Sequence, residues 1–208
     1  MRISRLAIAM ALALGVASES LAQNPPGGAP PTQPARGGGG RGRAVRVMTL
    51  TSTGFTDGSV LPIKYSQAGE ELSPPIAWGG VPDSTRSFVL LVHDLDAAVG
   101  SGTDDMLQWM VWNIPGTTTS LPEGVPHGPQ LTDGARQISV SGPYYRGPGA
   151  TASGPPHHYV FELYALDAML EVPAVGMAPP ATRAAVLAAM AGHVRGKGVM
   201  VASFRRGP

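Results

Sequence analysis

Ser87-Phe88-Val89-Leu90-Leu91-Val92-His93-Asp94 is an unbroken apolar run that ends on a histidine and a carboxylate. With no polar face, it reads as a strand buried on both sides. Further strands lie outward from it. Gln108 to Ile114 is stopped by Pro115-Gly116, and His158 to Leu166 and Val199 to Phe204 are equally apolar. Arg136 to Val140 is a weaker strand, and Val45 to Leu50 alternates as an entry strand. Asp57-Gly58 and Ala68-Gly69 are turn signals, and 28 glycines and 21 prolines supply many more turns. Pro179-Pro180 opens the one convincing helix, over 181–194, with Ala184, Leu187, Met190 and Val194 at helical spacing. The fold class is therefore mostly β, with packed sheets and few peripheral helices.

The chain divides into three parts. Residues 1–22 read as a secretory signal peptide: Arg2 and Arg5 precede an apolar run from Leu6 to Val16, and Ser20-Leu21-Ala22 suits cleavage. Residues 23–46 read as a disordered linker rich in proline, glycine and arginine. Residues 47–208 form the domain. The expected location is periplasmic or secreted. The chain has no cysteine, so thiol catalysis, Fe–S clusters and cysteine zinc sites are excluded, and core burial alone must hold the fold. From Val47 onward nine basic and thirteen acidic side chains give a net charge of −4, which speaks against a nucleic-acid partner.

Common catalytic signatures are missing. There is no G-x-S-x-G elbow, no phosphate-binding G-x-x-x-x-G-K-[ST] loop and no H-E-x-x-H, and from Val47 onward no G-x-G-x-x-G. Three segments remain as candidate site material: His93-Asp94-Leu95-Asp96, the Gly/Pro-rich stretch 142–156, and His157-His158-Tyr159. Strand alternation puts His157 and Tyr159 on one face and His158 on the other, so the adjacent histidines do not readily share one metal. Asp94 and Asp96 are compatible with turn capping, with a divalent ion alongside a histidine, or with acid–base work.

At these residues the chain resembles the phosphatidylethanolamine-binding protein family, and most closely its bacterial, Raf-kinase-inhibitor-like branch. The resemblance runs from Val47 to Phe204. It is carried by Leu72-Ser73-Pro74-Pro75-Ile76-Ala77-Trp78, Ser87 to Ala97, Gln108 to Pro115, Tyr145-Arg146-Gly147-Pro148, Gly154 to Phe161 and Ala165-Leu166-Asp167. It implies a β-sandwich of antiparallel sheets with a small anion-accepting pocket. The implied ligand-binding residues are Asp94, Asp96, Gln108, Gly147, Pro148, His157 and Tyr159. The family's D-P-D-A-P segment reads Asp94-Leu95-Asp96-Ala97-Ala98 here, so both prolines are absent, and Gln108 stands where the family has a histidine.

The expected function is binding of a small phosphate-containing or other anionic ligand, such as a phospholipid headgroup, without enzymatic turnover. The alternative is an interaction module inhibiting a protease or kinase, and a hydrolase or lyase ranks behind both. Neither cofactor nor metal is expected. A protein partner and a homodimer are candidate assemblies. Backbone amides near Gly147, the Tyr159 hydroxyl and the His157 ring are the expected donors to an oxyanion. Two ionised aspartates would repel that oxyanion, so the reading requires a carboxylate that orients a donor such as His157.

Overall fold

The apolar run at 87–92 becomes the middle of a long strand because both of its faces find cover. The computed structural model describes residues 44–207, so the signal-peptide assignment and the linker up to residue 43 lie outside the described residues. Among the described residues the strands are β1 (Arg46–Val47), β2 (Thr49–Thr51), β3 (Ile76–Gly79), β4 (Ser87–Val99), β5 (Asp104–Pro115), β6 (Ser120–Leu121), β7 (Arg136–Ile138), β8 (His157–Leu166) and β9 (Val194–Phe204). One α-helix, α1 (Pro179–Met190), precedes β9. The larger sheet has the order β1-β9-β8-β4-β5-β7 and the smaller β2-β3-β6. Neighbouring strands are antiparallel apart from β1, which runs parallel to β9.

Alternation along β4 feeds two separate cores. Phe88, Leu90 and Val92 pack between the sheets with Trp78, Trp109 and Phe161. Val89 and Leu91 point to the other face and pack with Trp112, Val186 and Met190, under the helix. A strand covered on both faces needs no polar positions, which is why the run is continuous. The two indoles of β5 are buried in opposite directions, and each N–H finds an acceptor, Gln137 Oε1 for Trp109 and the Val172 carbonyl for Trp112.

The elements depart from the sequence reading in places that have physical causes. Arg46, placed in the linker, already pairs with Gly196 in β1. The alternating segment 45–50 is not one strand. It crosses from the larger sheet to the smaller at Met48, whose side chain fills the space that Gly196 leaves open. The helix stops at Met190, and Val194 opens β9. Its buried residues are Thr182, Val186 and Met190, whereas Ala184 and Leu187 are exposed. Alanine occupies so many helix positions that spacing alone cannot choose the buried face, and docking on Val89 and Leu91 decides it. Just past the helix, His193 places Nδ1 2.9 Å from Asp167.

Beyond Leu91 the face under α1 turns ionic. His93 Nδ1 lies 2.5 Å from Asp105 Oδ2, and Arg183 of the helix reaches the other oxygen of that carboxylate. Glu162 takes Lys197 at 2.5 Å and the Tyr164 hydroxyl at 2.9 Å, while His93 Nε2 lies at 3.4 Å. The charged His93 ring, despite its longer reach, then Lys197 and Tyr164, hold Glu162 at about 2, against the opposing pull of burial. Burial works to lower His93, but Glu162 and Asp105 together raise it.

The signs differ for the two groups. Depression of Glu162 contributes stability above its ordinary value of 4.5 that is lost as pH falls towards about 2. Elevation of His93 contributes stability below 6.5 that is lost as pH rises through the folded value. A shift of the Glu162 size is worth about 3 kcal/mol. Urea denaturation at a series of pH values is expected to show wild-type stability falling between 4.5 and 2, and Glu162→Gln flattening that slope. An unchanged slope in Glu162→Gln would show that another carboxylate governs acid unfolding.

Candidate functional site

The site forms where β4 parts from β8. Asp94 and Tyr159 are the last register partners of that pair, opposite each other on the face between the sheets. Asp94 is 3% exposed, and a buried carboxylate requires several donors. Its Oδ1 accepts the amides of Asp96 at 3.0 Å and Ala97 at 3.2 Å, which turns the chain. The His157 ring presents Nδ1 to the same carboxylate, 3.1 Å from Oδ1 and 2.9 Å from Oδ2. Asp94 thus caps a turn and orients a histidine at once.

His157 and Tyr159 share a strand face, with ring centroids 6.4 Å apart and planes 23° from parallel. The Tyr159 hydroxyl is buried and has no hydrogen bond of good geometry among the described residues. Its near neighbours are the Asp94 carboxylate and the amides of Gly149 and Ala150. Burial, with the Asp94 charge behind it, pushes this phenol far above its ordinary value, so it stays protonated. Gln108 occupies a β-bulge, where the register steps from Val92↔Trp109 to His93↔Leu107. Its side chain is 1% exposed, and Oε1 also lacks a partner.

The remaining residues are placed differently from expectation. Asp96 is exposed and turns to His158, accepting its amide at 2.6 Å and facing its ring at 2.9 Å. The His158 amide, then its ring, hold Asp96 below the ordinary carboxylate range, against burial. The two aspartates do not share a direction, because the turn capped by Asp94 breaks the alternation between them. The Gly147 amide is not free for a ligand, since it donates to Glu71 Oε1 at 3.1 Å. Pro148 is buried, and its carbonyl accepts the Gln67 amide. The amides left in that loop belong to Gly149 and Ala150. Among the described residues no group of three His, Asp or Glu side chains converges on a metal position.

Gln67, Glu71 and Arg146 are the contributors that the sequence reading assigned no role. Gln67 donates Nε2 to the Gly147 carbonyl at 2.7 Å and holds the loop. Arg146 donates to Ser141 Oγ and reaches Gln67 Oε1 at 3.4 Å, while its Nε is buried without a partner. No carboxylate pairs with it among the described residues. Its signal was visible, since it is the sole cation of the Gly/Pro-rich stretch 142–156.

A profile of the phosphatidylethanolamine-binding proteins matches residues 51–205. The chain belongs to the phosphatidylethanolamine-binding protein family. A UPF0098 protein of Methanothermobacter thermautotrophicus is 40% identical over 162 residues, covering 77% of this chain and 100% of the relative. The UPF0098 protein YbhB of Escherichia coli is 35% identical over 130 residues, 58% of this chain and 78% of that protein. Among solved structures, a phosphatidylethanolamine-binding protein homologue of Chlamydia trachomatis superposes with a TM-score of 0.64 at 29% identity, covering 77% of this chain and 99% of the other. Escherichia coli YbcL gives 0.65 at 24% identity over 76% and 98%, a likeness of fold. The mostly β, two-sheet architecture read from the sequence is that of these phosphatidylethanolamine-binding protein relatives.

The loop that closes the site in this family member depends on close approach. A Cβ on Gly147 would sit 2.6 Å from the Tyr65 carbonyl oxygen, which also accepts the Tyr145 hydroxyl. Gly147→Ala is therefore expected to cost about 1–3 kcal/mol by urea denaturation. Gly154→Ala, whose added carbon would meet only Thr151 Oγ1 at an ordinary 3.6 Å, is expected to be near neutral. Equal costs for the two would show that the Gly147 contact does not hold the loop.

Proposed function

We propose that the protein is an exported binding protein that takes a small oxyanion, the phosphate of a phospholipid headgroup or of a phosphorylated small molecule, beside His157, and does not turn it over. The observation that carries this reading is the His157 ring, held at Nδ1 by the buried Asp94 carboxylate with Nε2 unpartnered among the described residues and the side chain 25% exposed. A ring held this way points one edge outward in a fixed direction. When protonated, it offers a charged donor there while Asp94 remains engaged behind it.

Other features support the same reading. Arg146 supplies a second positive charge without a carboxylate partner. The Tyr159 hydroxyl is a donor in reserve, and an unpartnered buried polar group in a native structure calls for a ligand or water. Its raised titration favours hydrogen bonding over service as a base or nucleophile. Asp96 is exposed, its charge is felt by His157, and its Oδ1 has no partner among the described residues, which leaves one carboxylate oxygen for an ammonium group on the ligand. Export rests on the charge and apolar pattern of residues 1–22.

Nuclear magnetic resonance titration with phosphoethanolamine and with inorganic phosphate tests this. Saturable shifts of the His157 ring are expected with both, lost in His157→Ala. Tighter binding of phosphoethanolamine, reduced to the phosphate level by Asp96→Asn, would point to an amine-bearing headgroup. Equal affinities would point to a phosphorylated small molecule. No saturable shift with either probe at millimolar concentration would overturn the reading.

A further inference from the structure

On the far side of the larger sheet, the exposed face of α1 borders a cleft that the oxyanion reading does not use. Pro180, Arg183, Ala184 and Leu187 fall at i, i+3, i+4 and i+7 of the helix, and all four line it. Met106 and Val140 supply the opposite wall, and Leu187 and Val140 are 40% and 42% exposed. The cleft holds about 560 Å³, within the range of small-molecule sites. Ala184 and Leu187, the first half of the apolar stripe in the sequence, are therefore open to solvent, whereas Met190 is buried.

Charge selects among occupants. At the base, Arg183 and Asp105 neutralise each other, and Asp105 is held from behind by His93. Asp104 also lines the cleft, exposed beside Gly100, and its carboxylate has no cationic or hydrogen-bonding partner among the described residues. The uncompensated charge in the cleft is thus a single carboxylate at the edge of apolar walls. A ligand complementary to both features carries an aliphatic body and a cationic head.

We infer that this cleft is a second ligand site, which accepts a small amphiphile with an alkyl body against Met106, Val140 and Leu187 and an ammonium head on Asp104. The inference is independent of the oxyanion site. The two lie on opposite faces of the sheet, since Asp94 faces the core between the sheets and His93 the helix. An ammonium group gains from Asp104, an alcohol does not, and a carboxylate is repelled. The exposed position makes the gain modest, about three- to fivefold in affinity.

The test uses octylamine, octanol and octanoate as probes at neutral pH, below their aggregation limits, with the full chain labelled at its methionine methyls. Saturable shifts at Met106 are expected, with octylamine about three- to fivefold tighter than octanol and octanoate weakest. Asp104→Asn is expected to bring octylamine down to octanol. Leu187→Trp, which fills the cleft from an exposed helix position, is expected to abolish all three responses while the other methionine methyls keep their wild-type shifts. Ala184→Phe blocks the same face and replaces Leu187→Trp if the latter perturbs the fold. Absence of saturable shifts at Met106, octanoate binding as tightly as octylamine, or an undiminished response in the blocking variants would overturn the inference.

Discussion

The Asp94 carboxylate is the constraint on which the site depends. It is almost wholly buried, and an ion in that position persists only if the surrounding chain supplies donors. Here the donors come from two amides of its own turn and from the His157 ring on the neighbouring strand. Meeting that demand ends the β4–β8 pairing at Asp94↔Tyr159, turns the following segment away, and fixes the ring. The hydrogen-bonding geometry of one carboxylate thus sets the sheet boundary and the direction of the exposed imidazole edge together.

The same strand step divides the molecule into two chemical faces. His93 and Asp94 are adjacent, yet they serve opposite sides of the larger sheet. On the side between the sheets, the buried tyrosine and the Gly149 and Ala150 amides lie by a single histidine–carboxylate pair. On the helix side, His93 joins Asp105, Arg183, Glu162 and Lys197 in a network in which the charges are paired. The first arrangement leaves polar groups without partners and suits a ligand. In the second the charges face one another, which suits docking of the helix.

Much of this was legible in the sequence. The long strands were readable because both faces of β4, β5 and β8 are covered, which leaves continuous apolar runs. Alternation correctly separated His157 from His158. Other features depend on three-dimensional detail. The direction of Asp96 follows from a turn that Asp94 itself creates, and a strand template extends straight through it. The Gly147 amide is occupied by Glu71, 76 residues away in sequence, a pairing that no local pattern encodes. The buried face of α1 is chosen by packing among many equivalent alanines. Arg146 stands out in sequence as the sole cation of its stretch, but its lack of a partner carboxylate among the described residues is a three-dimensional fact.

If Asp94 orients His157, the neutral ring carries its proton on Nδ1, donating to the carboxylate, and Nε2 gains a proton only when the ring becomes cationic. The direct measurement is a nitrogen-15 correlation spectrum of the neutral His157 ring. The account predicts a dominant Nδ1–H tautomer. A dominant Nε2–H tautomer would place a lone pair against the Asp94 carboxylate and contradict the account at its centre.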